Sequence, residues 1–356
     1  MRFALNELQA MLQDQAGRLL DSHASHDRLQ AIVDGHPGAA DAAWPELKAL
    51  GLAGLLLPET AGGSGLGMIE AALVAERIGY AALPTPLFGH WAATAALAGQ
   101  EPGVAPDMLA ALAAGTQIAT VAFGEAGTRW LPEAWQVRIE GGRVNGTKIF
   151  VPGAATADVL LVGGAGGGGA LVDARGAGVR IEQVDGVDRT RPMYNVQFDD
   201  AAGLDIPQQA MRRAFDAALV LLAADAFGGA SRVIDMTVEY LKTRSQFGTV
   251  IGQFQGVKHQ IANVVTQIEP CRGLYWYAAY AFDKVPAESS AMAALAKAHL
   301  GDRFLQAARD CVELHGGIGY TWEYDLHIWL KRAMVDFAWG GHPDALRSHY
   351  ADAVGW

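Results

Sequence analysis

The chain has 356 residues, 51% hydrophobic and 18% charged, a balance that supports two or three buried cores and excludes a disordered chain. Its 27 Lys+Arg against 38 Asp+Glu give a formal charge of -11, the wrong sign for neutralising a phosphate backbone, so nucleic acid is not an expected partner. The 43 glycines fall in short loops and in the run 163–169 without a period, which excludes collagen-like and low-complexity readings.

The first 115 residues read as helical and alanine-rich. Leu8, Met11, Leu12, Leu19 and Leu20 recur at helical spacing, as do Leu47, Leu50 and Leu52. Acids and glutamines stand where a secretory signal needs an unbroken apolar run, so none is expected. A glycine-rich loop over 58–65 and the segment Leu83-Pro84-Thr85-Pro86 interrupt the helices. The uncharged stretch 108–124 is broken by Gly115, Thr116 and Gln117 and falls short of the roughly 20 residues a membrane span needs. A soluble chain without a span is the expectation.

Between 118 and 198 the pattern changes to short β-type runs at 118–123, 136–139, 159–162 and 196–198, separated by Gly, Asp and Asn turns. Beyond 208 the segments 211–243, 256–284 and 287–314 are too long and too rich in leucine and alanine for strands. On the last, Met292, Ala296, Leu300, Phe304, Ala308 and Val312 line one face. The reading is α+β in three parts: a helical domain over 1–115, a small β domain over 116–207 and a helical bundle over 208–356. Cys271 and Cys311 form no C-x-x-C pair, which suits a reducing cytoplasm. The histidines show no metal-ligand spacing, Ser231 and Ser245 have no adjacent base, and Trp276, Tyr277 and Tyr280 are expected in the bundle core.

Two segments carry chemistry. In Arg244-Ser245-Gln246-Phe247-Gly248, followed by Phe254-Gln255-Gly256, an arginine and glutamines cluster at a glycine turn and can grip a phosphate and a base edge. In Leu314-His315-Gly316-Gly317-Ile318-Gly319-Tyr320, glycines clear side chains where backbone approaches a ligand. Alone, each also fits a helix C-cap. Together, in this order, they resemble the flavin-binding segments of the acyl-CoA dehydrogenases. Trp44-Pro45-Glu46-Leu47, Gly62-Gly63-Ser64-Gly65, the hairpin 142–148 and Asp188-Arg189-Thr190-Arg191 resemble further signatures of that family.

The resemblance implies a helical domain, a β domain and a C-terminal four-helix bundle, assembled as dimers or tetramers with FAD between subunits. It further implies an acyl-CoA substrate and an electron-accepting flavoprotein. Arg244 matches the residue on the pyrophosphate of the neighbouring subunit's FAD, with Gln246 and Phe247 in the same motif. Gln255 and the backbone of Gly316, Gly317 and Gly319 match the stretch against the ADP portion, and Phe150 matches a tryptophan near the flavin.

The chain departs from the family at three places. Removal of the α-proton of a thioester needs a carboxylate base, and the family's usual glutamate position holds Gly340. The position used by a minority, on an earlier bundle helix, aligns with Lys284, with Asp283 beside it. The residue whose hydroxyl bonds flavin N5 aligns with Pro152, which has neither hydroxyl nor N–H. The loop 124–130 lacks the usual ligand-touching serine. Partner subunits of bacterial hetero-oligomeric dehydrogenases for bulky steroid side-chain CoA esters show similar losses and a segment like 316–323. The resemblance therefore leaves three readings. The chain is the subunit without the base, completed by a glutamate-bearing partner; or it is a complete enzyme whose base is displaced to Asp283, Asp336 or Asp344; or it is a flavin-free structural relative.

Overall fold

An asparagine side chain starts the first helix: Asn6 Oδ1 accepts from Gln9 N–H at 2.8 Å, while Gln9 Oε1 accepts from Asn6 N–H at 3.0 Å, a reciprocal cap. The computed structural model describes residues 4–36, 38–99, 103–127 and 129–356. Its first part holds α1 (Glu7–His23), α2 (His26–Val33), α3 (Trp44–Ala49), α4 (Met68–Ala81), α5 (Leu87–Leu97) and α6 (Pro106–Ala113). Leu20, Leu47 and Leu52 are buried, but Leu8 and Met11 are 57% and 53% exposed. The helical spacing on α1 is real, yet its buried side is supplied by Ala16 and Leu20, which face α4.

The strands are β1 (Ala119–Ala122), β2 (Arg138–Glu140), β3 (Arg143–Pro152), β4 (Val159–Gly163), β5 (Gly169–Asp173), β6 (Val179–Val184) and β7 (Met193–Ile206). They run in the order β1-β4-β5-β7-β3-β2, with β6 also on β7, and only the β1–β4 pair is parallel. Two strands escape the sequence reading. β5 opens inside the glycine run, and β6, Val-Arg-Ile-Glu-Gln-Val, carries the alternation of a half-buried strand over only four residues before Gln183 breaks it. Val144, Val151, Leu160, Val172, Val196 and Phe198 form a core of this domain's own.

The 36-residue helix α7 (Gln208–Thr243) is the spine of the molecule, packing on α4, α5 and α10. It is long and apolar enough to cross a membrane, but its apolar stretch is mostly buried inside the protein, which is how a core helix behaves. A two-stranded turn, β8 (Ser245–Gln246) with β9 (Thr249–Val250), leads to α8 (Gln255–Ile268), α9 (Cys271–Lys284), α10 (Ser289–His315), α11 (Leu326–Ala338) and α12 (Pro343–Val354). The single helix expected over 256–284 is two, because Pro270 offers no N–H to continue the ladder and instead starts α9. On α10, Ala296, Leu300, Phe304, Ala308 and Val312 are all buried, as their spacing predicts. The aromatic reading of α9 is one position out: Tyr275 is the buried ring, whereas Trp276, Tyr277 and Tyr280 are half-buried.

Candidate functional site

The two segments singled out by sequence meet at one end of the bundle. Arg244 closes α7, its N–H donating to Tyr240 O at 2.9 Å. One turn earlier, Tyr240 stacks on His315 at 4.4 Å, and its hydroxyl donates to the His315 carbonyl. The ends of α7 and α10, from which the 244–255 and 316–319 segments emerge, are thereby tied together. The side chains of Arg244, Gln246 and Gln255 are exposed and make no hydrogen bond or ion pair among the described residues. Phe247 is 93% exposed, with a φ of 52°, and its ring meets Phe254 edge-on. A Cβ at Gly316 or Gly317 would meet nothing within 4 Å, while one at Gly319 would sit 2.9 Å from the Val312 carbonyl. The loop is fixed on its inner side and open on its outer side.

Phe150 and Gly340 lie elsewhere. Phe150 sits at a break in the β3–β7 register, its φ is 53°, and its ring is 42% exposed. The indole N–H of buried Trp339 donates to the Phe150 carbonyl at 2.8 Å, which holds this unfavourable backbone. Pro152, two residues on, is buried, and its carbonyl accepts from the Thr120 hydroxyl at 2.6 Å. Gly340 follows the end of α11 with a φ of 76°, and a Cβ there would lie 2.9 Å from Leu219 Cδ2 on α7. Neither the backbone nor the space admits a glutamate without rearrangement.

The acids named as alternative bases are each accounted for. Asp283 Oδ2 accepts from the Met68 N–H at 2.7 Å, at the start of α4, beside Arg213; burial raises its pKa. Asp344 is exposed in the first turn of α12 and pairs with Arg347. Asp336 is 1% exposed and belongs to a buried cluster in which Arg191 bridges Asp336 and Asp225, while Arg332 grips Asp225 through two nitrogens. Lys284 is exposed at the end of α9. Asp283 acts as a helix cap, so Asp283→Ala is expected to cost about 1 kcal/mol in urea unfolding and to leave flavin content unchanged; a loss of flavin without loss of stability would contradict this assignment.

Lys148, Glu125 and Lys297 were passed over in the sequence because a charged residue in a run of mixed character reads as surface. Lys148 is fully buried, donates to Glu125 at 2.6 Å and to the Phe123 carbonyl at 3.1 Å, and its pKa falls to about 8 through burial, with Glu125 opposing. Glu125 also accepts from the N–H groups of Gln136 and Val137, so the pair clamps the 124–130 loop onto β3; Thr128 of that loop lies outside the described residues. Lys297 is 1% exposed and donates to the carbonyls of Phe337 and Gly341, tying down the turn that contains Gly340, and burial lowers its pKa to about 7. Beside this turn, Leu83, Phe88, Thr120, Pro152, Arg191 and Arg332 are among the residues lining a cavity of about 180 Å³.

Residues 6–102 match the family description "Acyl-CoA dehydrogenase, N-terminal domain" and residues 208–355 match "Acyl-CoA dehydrogenase, C-terminal domain". The chain belongs to the acyl-CoA dehydrogenase family. It is 31% identical over 330 residues to "Acyl-CoA dehydrogenase IpdE2" of Mycolicibacterium smegmatis, covering 92% of this chain and 93% of that protein. Among solved structures it superposes on the "Tcur3481-Tcur3483 steroid ACAD G363A variant" with a TM-score of 0.90 at 31% identity, covering 98% of each chain. It shares its fold with the ChsE4-ChsE5 complex from Mycobacterium tuberculosis, at a TM-score of 0.86 and 22% identity over 100% and 99% of the two chains.

This acyl-CoA dehydrogenase family is FAD-binding, an oxidoreductase family. The residues present fit FAD on the chemistry of the bundle end: an unpaired guanidinium, two unpaired amides and an open glycine backbone suit a dinucleotide's phosphates. From Leu219, against which Gly340 packs, to Thr243 the helix α7 runs about 36 Å at roughly 1.5 Å per residue. The Gly340 turn, which Trp339 joins to Phe150, and Arg244 are therefore well separated along α7.

Proposed function

We propose that this chain is the subunit of a hetero-oligomeric acyl-CoA dehydrogenase that holds FAD jointly with a glutamate-bearing partner and supplies no catalytic base of its own. FAD, when bound, accepts the β-hydrogen of the substrate as hydride. The carrying observation is Gly340: at the position that resembles the family's base site the chain has no side chain, and its backbone, with a φ of 76°, favours glycine over a glutamate. Asp283 and Asp344 are engaged in capping and ion pairing, and Asp336 is fully buried against Arg191, which speaks against a displaced base. Pro152 offers no donor toward the flavin. The role of Arg244, Gln246, Phe247, Gln255 and the 316–319 backbone is then to complete the flavin site whose other half a partner provides. Two of the similar structures carry paired names, Tcur3481-Tcur3483 and ChsE4-ChsE5, and the first is titled a steroid enzyme. These support a two-chain assembly acting on a bulky, steroid-derived acyl-CoA and passing electrons to a flavoprotein acceptor.

The test is anaerobic bleaching of FAD by a panel of acyl-CoA esters, polycyclic ones included, with the chain alone and with its partner. Bleaching is expected only with the partner, since removing a positioned base typically costs a hundredfold or more. Rapid bleaching by the chain alone, abolished by Asp283→Asn, would establish a complete enzyme instead.

A further inference from the structure

An acyl thioester that reacts must place its α-carbon between the flavin and the base. By the family resemblance those two flanks correspond to the Phe150 end of β3 and the Gly340 turn, and these are joined directly by the Trp339 indole N–H on the Phe150 carbonyl at 2.8 Å. Trp339 is 3% exposed. Its ring meets Phe88 of α5 edge-on at 5.1 Å, Trp130 of the 124–130 loop at 5.1 Å and Phe123 at the end of β1 at 6.2 Å. Phe123 in turn stacks on Trp135 at 5.3 Å and meets Phe215 of α7. The loop side is equally tight: a Cβ at Gly124 would come within 2.8 Å of the Trp130 ring, and one at Gly341 within 3.8 Å of Trp130 Cβ. Phe88 lines the neighbouring cavity whereas Trp339 does not, so Phe88 forms the wall between that cavity and the Gly340 turn.

We propose that Trp339 and Phe88 exclude the acyl chain from this chain's own flavin face, making them the residues that confine acyl-CoA to the partner's site. The inference rests on the partner-subunit reading for its biological meaning, but its physical basis is separate: an aliphatic or polycyclic acyl group entering here has to displace a buried indole together with its hydrogen bond, and close-packed aromatic clusters leave no room for such a guest. Exclusion has a function in a shared-cofactor assembly. A thioester parked on a face without a base would shield the flavin from its acceptor and lower the fraction of substrate that reacts.

The experiment counts sites without catalysis. The FAD-loaded complex of this chain with its partner is dialysed to equilibrium against S-octyl-CoA, a thioether with no acidic α-proton, and bound thioether is counted per pair of chains. The wild-type complex is expected to bind at most one per pair. Trp339→Ala is expected to add one further site per pair, with FAD content measured in the same sample. Phe88→Ala, which opens the wall to the existing cavity without touching the indole hydrogen bond, is expected to add the same site with weaker affinity. Two thioethers per wild-type pair, or no added site in a variant that folds cooperatively and retains FAD, would overturn the exclusion; should neither variant fold, the wild-type count decides alone. A chain that needs a partner for bleaching yet binds two thioethers per pair loses the exclusion and keeps the subunit reading. A chain that forms no such pair, but takes up thioether only after Trp339→Ala, keeps the exclusion and loses the subunit reading.

Discussion

Arg244→Ala in this chain is expected to lower FAD affinity of the proposed two-chain complex about a hundredfold and to abolish its turnover, although on that proposal the base comes from the partner. Arg244 stands at the C-terminal end of α7 with its guanidinium exposed and unpaired among the described residues. A bidentate guanidinium–phosphate contact, once covered by a second subunit, contributes roughly 3 kcal/mol, which converts to that factor. In the two-chain assembly proposed above, α7 separates Arg244 from the Phe150 face of its own chain, so the damage is expected to appear in the partner's chemistry. Arg244→Lys is expected to restore part of the affinity, since an ammonium keeps the charge but loses the fork geometry. Apo-protein stability is expected to stay within about 0.5 kcal/mol, as for exposed positions generally. The check is FAD content after gel filtration and a dissociation constant from flavin fluorescence; unchanged retention in Arg244→Ala would remove this residue from the cofactor site.

How far the molecule was legible in its sequence depended on whether the signal was local. The 244–256 and 316–320 segments are contiguous, so their glycines and polar side chains announce themselves in order, and the structure adds only that Tyr240 and His315 tie them together. The long helices were legible because the face of α10 repeats over six positions. The Pro270 break was missed although proline marks it, because the apolar pattern continues on both sides. The Phe150 side was less legible, since its meaning is tertiary: Trp339 is one tryptophan of nine until its N–H is seen on the Phe150 carbonyl. Buried Lys148, Lys297, Arg191 and Arg332 were invisible for the same reason. A charge is buried only when a partner arrives from a distant segment, and single-chain periodicity does not encode that partner.

The buried cluster of Arg191, Arg332, Asp225 and Asp336 is expected to separate its two aspartates sharply by mutation. Asp225 accepts from Arg332 Nε at 2.8 Å and lies 2.9 Å from Arg191 Nη2, and these two arginines hold its pKa below the ordinary value against the opposing effect of burial. Asp225→Ala leaves two buried guanidiniums without their shared counter-ion, for which about 3–5 kcal/mol of destabilisation is expected. Asp336 differs: one carboxylate oxygen takes the Arg191 bond while the other has no partner among the described residues, and burial together with the nearby Asp225 charge raises its pKa to about 7 despite Arg191. The folded state therefore holds a proton on Asp336 that the unfolded chain, with a carboxyl near 3.8, has released. Between those values the folded state binds more protons than the unfolded one, so the Asp336 contribution to stability is fully present below about pH 4 and is lost as pH rises through about 7. Asp336→Asn mimics the protonated form. It is expected to be less destabilising than Asp225→Ala at pH 6, to become relatively more stable than wild type by pH 8, and to flatten this part of the stability profile measured by urea unfolding from pH 5 to 8. Asp336 is also one of the displaced-base candidates, and the same variant decides that question: partner-dependent flavin bleaching is expected to survive Asp336→Asn in this chain, because a fully buried carboxyl on α11, bonded to Arg191, has no route to a thioester.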